Sequence, residues 1–236
     1  MQKAKNWNVR LQEEIRQNDM KGYFMTYTFS EESMIELENV VKKQGFTGTG
    51  YELDNEVARI GIRRYLERWR KKHKKSLRHW YITELGTTRT ERIHIHGIVW
   101  TNENKNELIQ KWKYGRVDIG NKGVYGASAG YLVKYLHKVD EKHKEYQSKI
   151  FTSAGIGKGY TDRIDADNNK YKGIDTNEMY RNRQGYKMGM PTYYRNKIYT
   201  DEEREKLWMI KLDEQKRYVL GQEIDISTTE GEEQYI

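Results

Sequence analysis

The sequence contains no cysteine. This absence excludes a disulfide framework, a cysteine-ligated zinc finger and a cysteine nucleophile, and it is typical of a reducing compartment. No apolar run reaches the roughly 18 residues needed to cross a bilayer. The polar start, MQKAKNWNVR, lacks the apolar core of a signal peptide. We therefore expect a soluble, cytoplasmic protein with no membrane partner.

Apolar residues are also scarce, at 36% of the chain, and the charge is unbalanced toward bases. The chain contains 43 Lys and Arg and 35 Asp and Glu, which gives a net charge of +8. The segment 222–236 holds five acids and no base, so the basic excess belongs to the residues before it. A basic body with a short acidic tail favours a polyanionic partner, most simply nucleic acid.

Hydrophobic periodicity predicts helices and strands in mixed order. The predicted strands are 22–29, 79–85, 92–100 and 115–119, and the predicted helices are 31–43, 53–75, 102–112, 127–140 and 200–220. The short polar connection between the second and third strands indicates an antiparallel hairpin. We predict one α+β domain: a core over residues 20–150, an irregular helical C-terminal extension over 151–221, and the acidic tail.

Two histidines, His94 and His96, stand one residue apart in the apolar strand 92–100. Residues i and i+2 of a strand share a face, so both imidazoles should project side by side while Ile93 and Ile95 pack on the other face. A chance pair of packed histidines would give the same pattern. The histidine spacing alone is therefore a weak indication of a metal site.

Glu84 is an acid in a preceding strand that is otherwise apolar and aromatic. Hairpin pairing should place it within about one register step of the histidines. Two imidazoles and one carboxylate could hold a divalent metal and leave positions open for a substrate oxygen; these ligands suit Mn²⁺, Zn²⁺ or Co²⁺, whereas Mg²⁺ prefers oxygen. The alternative for Glu84 is a cross-strand ion pair with Arg92 or Arg89.

Helical spacing places Tyr131, Lys134, Tyr135 and Lys138 on one stripe of the helix 127–140. Such a stripe often only packs a core, but lysines are seldom buried beside tyrosines in one. Ammonium groups near a phenol favour its ionisation and would stabilise charge on a phosphoryl group. The stripe therefore suggests phosphoryl transfer to a tyrosine, and we expect Tyr135, between the two lysines, to attack first.

Three segments in this order carry a family resemblance: FMTYTFS (24–30), HIHGIV (94–99) and YLVKYLHK (131–138). They resemble the three motifs of rolling-circle replication initiators, the HUH endonucleases. The paired tyrosines resemble those of the initiators of small single-stranded DNA phages (microviruses), as do SAGIGKGY (153–160) and MPTYYR (190–195). The resemblance covers about residues 20–220. It departs from the pattern at Ile93, where many relatives have proline, which puts only the strand entry in doubt.

The resemblance implies a fold and a set of roles. The fold is a central antiparallel sheet flanked by helices, with the histidines on a central strand. The implied metal ligands are His94, His96 and Glu84; the implied nucleophiles are Tyr131 and Tyr135; the implied supporting cations are Lys134 and Lys138. The expected cofactor is a divalent metal, Mg²⁺ or Mn²⁺. The expected DNA partner is single-stranded DNA at a replication origin, and a host helicase and polymerase are further expected partners.

The function implied is that of a phage replication initiator. It would nick the origin on one strand, form a 5′-phosphotyrosine adduct and religate the DNA into circles. Gly157 and Lys158, in a glycine-rich loop, and Arg92 are expected DNA contacts. Plasmid initiators, relaxases and transposases share this chemistry and remain alternatives. A non-enzymatic single-stranded nucleic-acid-binding protein and a metal hydrolase using water also remain open.

Overall fold

The computed structural model describes residues 2–18, 21–86, 91–121, 123–136, 143–182 and 185–235. The chain divides into two compact units. We name Asn18–Ile156 the central unit, and Met1–Gln17 together with Gly157–Ile236 the terminal unit. In chain order the elements are α1 (Gln2–Gln17), β1 (Gly22–Tyr27), α2 (Glu31–Lys43), α3 (Tyr51–His73), β2 (Arg78–Leu85), β3 (Ile93–Trp100), α4 (Lys105–Lys111), β4 (Val117–Ile119), α5 (Gly126–Lys134), β5 (Ile150–Thr152), a 3₁₀ helix (Lys158–Asp162), α6 (Ile164–Asp167), β6 (Met179–Arg181), β7 (Lys187–Gly189), α7 (Thr192–Ile198), α8 (Asp201–Asp213), β8 (Lys216–Val219), β9 (Gln222–Asp225) and α9 (Thr229–Tyr235).

The central unit is built on an antiparallel sheet whose strand order, in the part of the chain described, is β4-β1-β3-β2-β5. The histidine strand β3 lies in the middle, and β2 and β3 form the predicted hairpin. Glu84 pairs with His94 in its register. The predicted α+β fold, with a central antiparallel sheet flanked by helices, is confirmed.

Alternation along the strands gives this sheet two different faces. Met25, Tyr27, Ile93 and Ile95 are buried on one face, against a hydrophobic core that α2, α3 and α4 complete. The long helix α3 buries its apolar stripe there and exposes five of its bases: Arg59, Arg63, Arg70, Lys71 and Lys72. The opposite face therefore carries the side chains that alternate with these buried ones along each strand.

The terminal unit has a core of its own, in which tyrosines supply much of the apolar area. Val9 of α1 packs with Tyr160, Tyr180 and Tyr194 in this core. Glu13, only 2% exposed, accepts a hydrogen bond from the Tyr180 hydroxyl at 2.6 Å. It also pairs with Arg163 at 2.7 Å, so the buried carboxylate is compensated.

Two predicted helix ends were wrong. The helix predicted over 200–220 ends at Asp213, because Gln215 adopts a left-handed conformation (φ 54°) and β8 follows. Leu220 and Gly221 both have positive φ, which suits the tight turn to β9. Residues predicted to form the acidic tail thus build β9 and α9. The helix predicted over 127–140 ends at Lys134, and residues 137–142 lie outside the described part.

None of the helices in the described part of the chain combines the length and the apolar character that crossing a bilayer requires.

Gly97 marks the tightest strand approach in the sheet. A Cβ built at Gly97 would collide with the Trp80 carbonyl oxygen and with the ring and backbone of Tyr81 on β2. We expect Gly97→Ala to lower the free energy of unfolding by about 1–3 kcal/mol, since the neighbours are backbone and a packed ring. Urea denaturation would measure the change.

The control is Gly130→Ala in α5, where nothing lies within 4 Å of an added Cβ. Alanine favours a helix over glycine by up to about 1 kcal/mol, so this variant should be as stable as the wild type or more stable. An unchanged urea midpoint in Gly97→Ala would contradict the close approach.

Candidate active site

The residues of the candidate site lie on the sheet face opposite the main core. Thr26 of β1, Glu84 of β2, and His94 and His96 of β3 share this face, because their parity is opposite to that of the buried residues. Tyr135, directly after α5, stacks against His96. Strand pairing thus gathers residues that are distant in sequence.

His96 has a partner at each ring nitrogen. Its Nδ1 lies 3.1 Å from the hydroxyl of Thr26, with which it is paired in register on β1. Its Nε2 lies 2.8 Å from Oε2 of Glu84. Both side chains of this ion pair are largely shielded, at 13% and 16% exposed. The Thr26 contact orients the imidazole, while the buried Nε2, which makes no hydrogen bond among the described residues, lies beside the Glu84 carboxylate.

His94 is half-buried, and its ring centroid lies 6.3 Å from that of His96. Burial lowers the pKa of His94, the charge of His96 lowers it further, and Glu84 opposes both effects. The imidazole is therefore neutral at neutral pH. Among the residues described, no three His, Cys, Asp or Glu side chains are gathered as a ready metal cage. His96 and Glu84 are in direct contact, while His94 stands beside them.

Tyr131 and Tyr135 occupy one side of α5 and its end, as the helical spacing predicts. The Tyr135 ring stacks on His96 with centroids 4.8 Å apart and an interplanar angle of 6°. Its hydroxyl donates to the hydroxyl of Tyr131 at 2.9 Å. The Tyr131 side is open, with 50% of the residue exposed, and its ring meets Phe24 edge-on at 5.5 Å. The two phenols thus extend from the histidine face of the sheet to the solvent-exposed surface.

The environment of Tyr135 differs from the expectation that lysines would help its phenol to ionise. Burial raises the pKa of Tyr135 well above its usual range, and the hydrogen bond to Tyr131 and the negative charge of Glu84 add to the effect. Tyr135 is the C-cap residue of α5 rather than a residue inside the helix. Lys134 is exposed, and Lys138 lies outside the described residues.

The three expected DNA contacts have surroundings of their own. Arg92, one of the two arginines considered as an ion-pair partner of Glu84, pairs with Glu31, and Arg89, the other, lies outside the described residues. Gly157 and Lys158 belong to the terminal unit. The backbone N–H of Gly157 donates to the Glu14 carboxylate at 2.7 Å, whereas Lys158 is exposed at the start of the 3₁₀ helix. The histidines, Glu84 and the tyrosines are brought together within the central unit.

Two further residues, Thr26 and Phe24, contribute to the site and were not predicted from the sequence. Both lie on β1 and face the site, Thr26 toward His96 and Phe24 toward Tyr131. The alternation of β1, with Met25 and Tyr27 buried, carries the signal that could have identified them. The partner strand could not be chosen from that alternation alone.

We predict that His94 titrates below the usual histidine pKa of about 6.5 in the metal-free protein, because burial disfavours the charged ring. Imidazole NMR spectra recorded against pH with a chelator present would measure this. His79 provides an internal reference, since burial lowers its pKa to about 4. A His94 midpoint at or above the usual value would contradict the described burial.

Comparison with known proteins adds one finding to this geometry. Residues 22–140 match the family model described as Replication-associated protein ORF2. No curated protein and no solved structure matches the chain. The matched segment spans half of the chain and contains Glu84, both site histidines and both tyrosines. The match implies DNA binding and, in general terms, endonuclease or transferase activity. The chain thus belongs to the Replication-associated protein ORF2 family, a family of rolling-circle replication initiators.

Proposed function

We propose that this protein nicks one strand of a phage replication origin, holds the 5′ end on a tyrosine and rejoins the strand into a single-stranded circle. The observation that carries the proposal is the contact chain from Glu84 through His96 to the ring of Tyr135 and on to the hydroxyl of Tyr131. It places two phenols beside a histidine–carboxylate pair on one face of a sheet. Family membership supports the replication role.

His94, His96 and Glu84 are the residues that would hold a divalent metal, Mg²⁺ or Mn²⁺. The donor set fits, since one carboxylate and two imidazoles are acceptable ligands and His94 is held neutral. The chemistry that such a cation supplies is polarisation of the scissile phosphate. Thr26 would orient the His96 ring through its Nδ1, as partners in the outer shell commonly do.

Tyr131 is the better placed first nucleophile, which revises the expectation that Tyr135 attacks first. Tyr131 is the more exposed residue, and its hydroxyl accepts the hydrogen bond from Tyr135, which would stabilise negative charge on the attacking oxygen. The phenol loses its proton as its oxygen bonds to phosphorus, and the bond from phosphorus to the 3′ oxygen breaks. The 3′ oxygen takes up a proton and leaves as a free hydroxyl.

The resulting phosphodiester to tyrosine conserves the energy needed for rejoining, because one phosphodiester has replaced another. Tyr135 can then attack a regenerated origin, while the departing 3′ hydroxyl resolves the first linkage and closes a circle. The two ring centroids are 5.6 Å apart. A small shift of the DNA strand would therefore bring its phosphate from one tyrosine hydroxyl to the other. Lys134, exposed at the end of α5, can stabilise negative charge on the phosphate.

A basic groove supports the binding of a polyanion. A cavity of about 440 Å³ between α3 and α4 is lined by Gln110 and by the cations Arg68, Lys71, Lys72, Lys111 and Lys113. Both helices pack on the core face of the sheet, so this groove and the tyrosines lie on opposite sides. Clustered cations bind phosphates without sequence preference. Arg92 and Lys158 remain proposed DNA contacts.

The experiment that tests the proposal is incubation with circular single-stranded phage DNA and Mn²⁺ or Mg²⁺, followed by denaturing gels for a covalent adduct. We expect Tyr131→Phe and Tyr135→Phe each to retain some adduct but to lose circle closure, because one hydroxyl remains. The double variant should form no adduct, since phenylalanine keeps the ring packing and deletes only the nucleophiles.

The matched control is Tyr186→Phe, a tyrosine 72% exposed in the terminal unit, which should behave as the wild type. Adduct formation by the double variant, or an adduct peptide that maps to another tyrosine, would refute the assignment. An adduct also separates this proposal from a non-enzymatic DNA-binding protein and from a hydrolase that uses water.

The metal assignment has its own prediction. Thr26→Val should weaken Mn²⁺ binding by about 10–100-fold, because the ring of His96 loses its orienting partner. His96→Ala should abolish adduct formation while much of the DNA affinity remains, because phosphate contacts dominate that affinity. Calorimetry with Mn²⁺ and anisotropy with labelled single-stranded DNA would measure the two effects.

The control is Thr161→Val, which removes a hydroxyl of the terminal unit that donates to the Lys158 carbonyl at 2.9 Å. It should leave Mn²⁺ affinity unchanged. Wild-type Mn²⁺ affinity in both Thr26→Val and His96→Ala would rule out a metal at this face.

A further inference from the structure

A groove opens beside Tyr131, and His96 is not among the residues that line it. Phe24 of β1 and the segment leading into α5 bound it, and its volume is about 820 Å³. This lies within the range of about 300–1,000 Å³ that is usual for small-ligand pockets. The groove adjoins the proposed first nucleophile, so whatever fills it lies next to the reacting phosphate.

The walls of the groove present flat aromatic surface. Tyr125 is 52% exposed and Tyr131 is 50% exposed, although both line the same concave space. Phe24 supplies a third ring, which meets Tyr131 edge-on. Exposed aromatic rings in a groove are the usual platform for unpaired bases, because every base has a π-face to stack.

Small residues lie between these rings. At Gly130 nothing lies within 4 Å of a built Cβ, so a flat ligand can approach the backbone of α5 directly. Lys134, one helical turn further along α5, also lines the groove and is exposed. Flat aromatic walls next to the positive charge of Lys134 match a nucleobase followed by its backbone phosphate.

We infer that this groove stacks one unpaired nucleobase of the DNA strand being cut, adjacent to the phosphate that Tyr131 attacks, with the neighbouring backbone phosphate at Lys134. The inference rests on the proposed function, since that function supplies the strand. It assigns Tyr125 and Gly130 as positioning residues for the substrate. Stacking is tolerant of base identity, so the groove fixes where the strand lies rather than which sequence it has.

The test uses a short oligothymidylate that carries one 2-aminopurine, a base whose fluorescence is quenched on stacking, and a chelator to prevent cleavage. A Gly130→Leu side chain fills the groove, and we expect it to weaken binding by about tenfold and to abolish the quenching. Tyr125→Ala removes one stacking ring and should weaken binding to a similar extent.

Two matched controls are available. Gly126, in the same helix, also has nothing within 4 Å of a built Cβ but does not line the groove, so Gly126→Leu should bind as the wild type does. Tyr186→Ala removes an exposed tyrosine of the terminal unit and should also have no effect. Both leucine variants enter open space, so both should fold.

Unchanged affinity and quenching in Gly130→Leu would overturn the inference, as would wild-type binding without any quenching. Adduct formation on circular phage DNA, measured with the same variants, distinguishes this failure from failure of the proposed function. A wild-type adduct with no effect of Gly130→Leu rejects only the groove. If Gly130→Leu abolishes the quenching but the wild type forms no adduct, only the nicking reaction is rejected.

Discussion

The register of β3 is the constraint on which the candidate site depends. This strand is hydrogen-bonded on both edges, to β1 and to β2, and it buries Ile93 and Ile95 on the core face. A slip of one residue would carry the isoleucines to the outer face and the histidines into the core. The apolar core therefore fixes the positions of His94 and His96, although the core residues themselves have no part in the proposed reaction.

Burial acts in opposite senses on the two kinds of titratable group at this face. It lowers the pKa of the His94 imidazole and raises that of the Tyr135 phenol, because in each case the charged form is the one that is disfavoured. Both groups are consequently neutral at neutral pH. The Glu84 carboxyl lies 2.8 Å from His96 on the same face. Positive charge brought to this face would favour ionisation of the phenol.

Local pattern was sufficient to predict much of the site. The hairpin, the pairing of Glu84 with the histidine region and the shared side of Tyr131 and Tyr135 all follow from strand and helix periods. The contact of Thr26 with His96 did not, since it joins residues 70 positions apart and periodicity cannot choose a partner strand. The end of α5 was also missed, because neither glycine nor proline marks it. The turn at 220–221 was hidden by a helical pattern that continues past Asp213.

The unequal sequence separation of the contacts around His96 sets an order for the assembly of the site. The carboxylate of Glu84 reaches the imidazole within a single hairpin, whose short loop closes at little entropic cost. The hydroxyl of Thr26 arrives only when β1 docks across a separation of 70 residues, with α2 and α3 in between. Because non-local strand pairing is slow, we expect the histidine–carboxylate pair to form early in folding and the contact of Thr26 with the other ring nitrogen to form late.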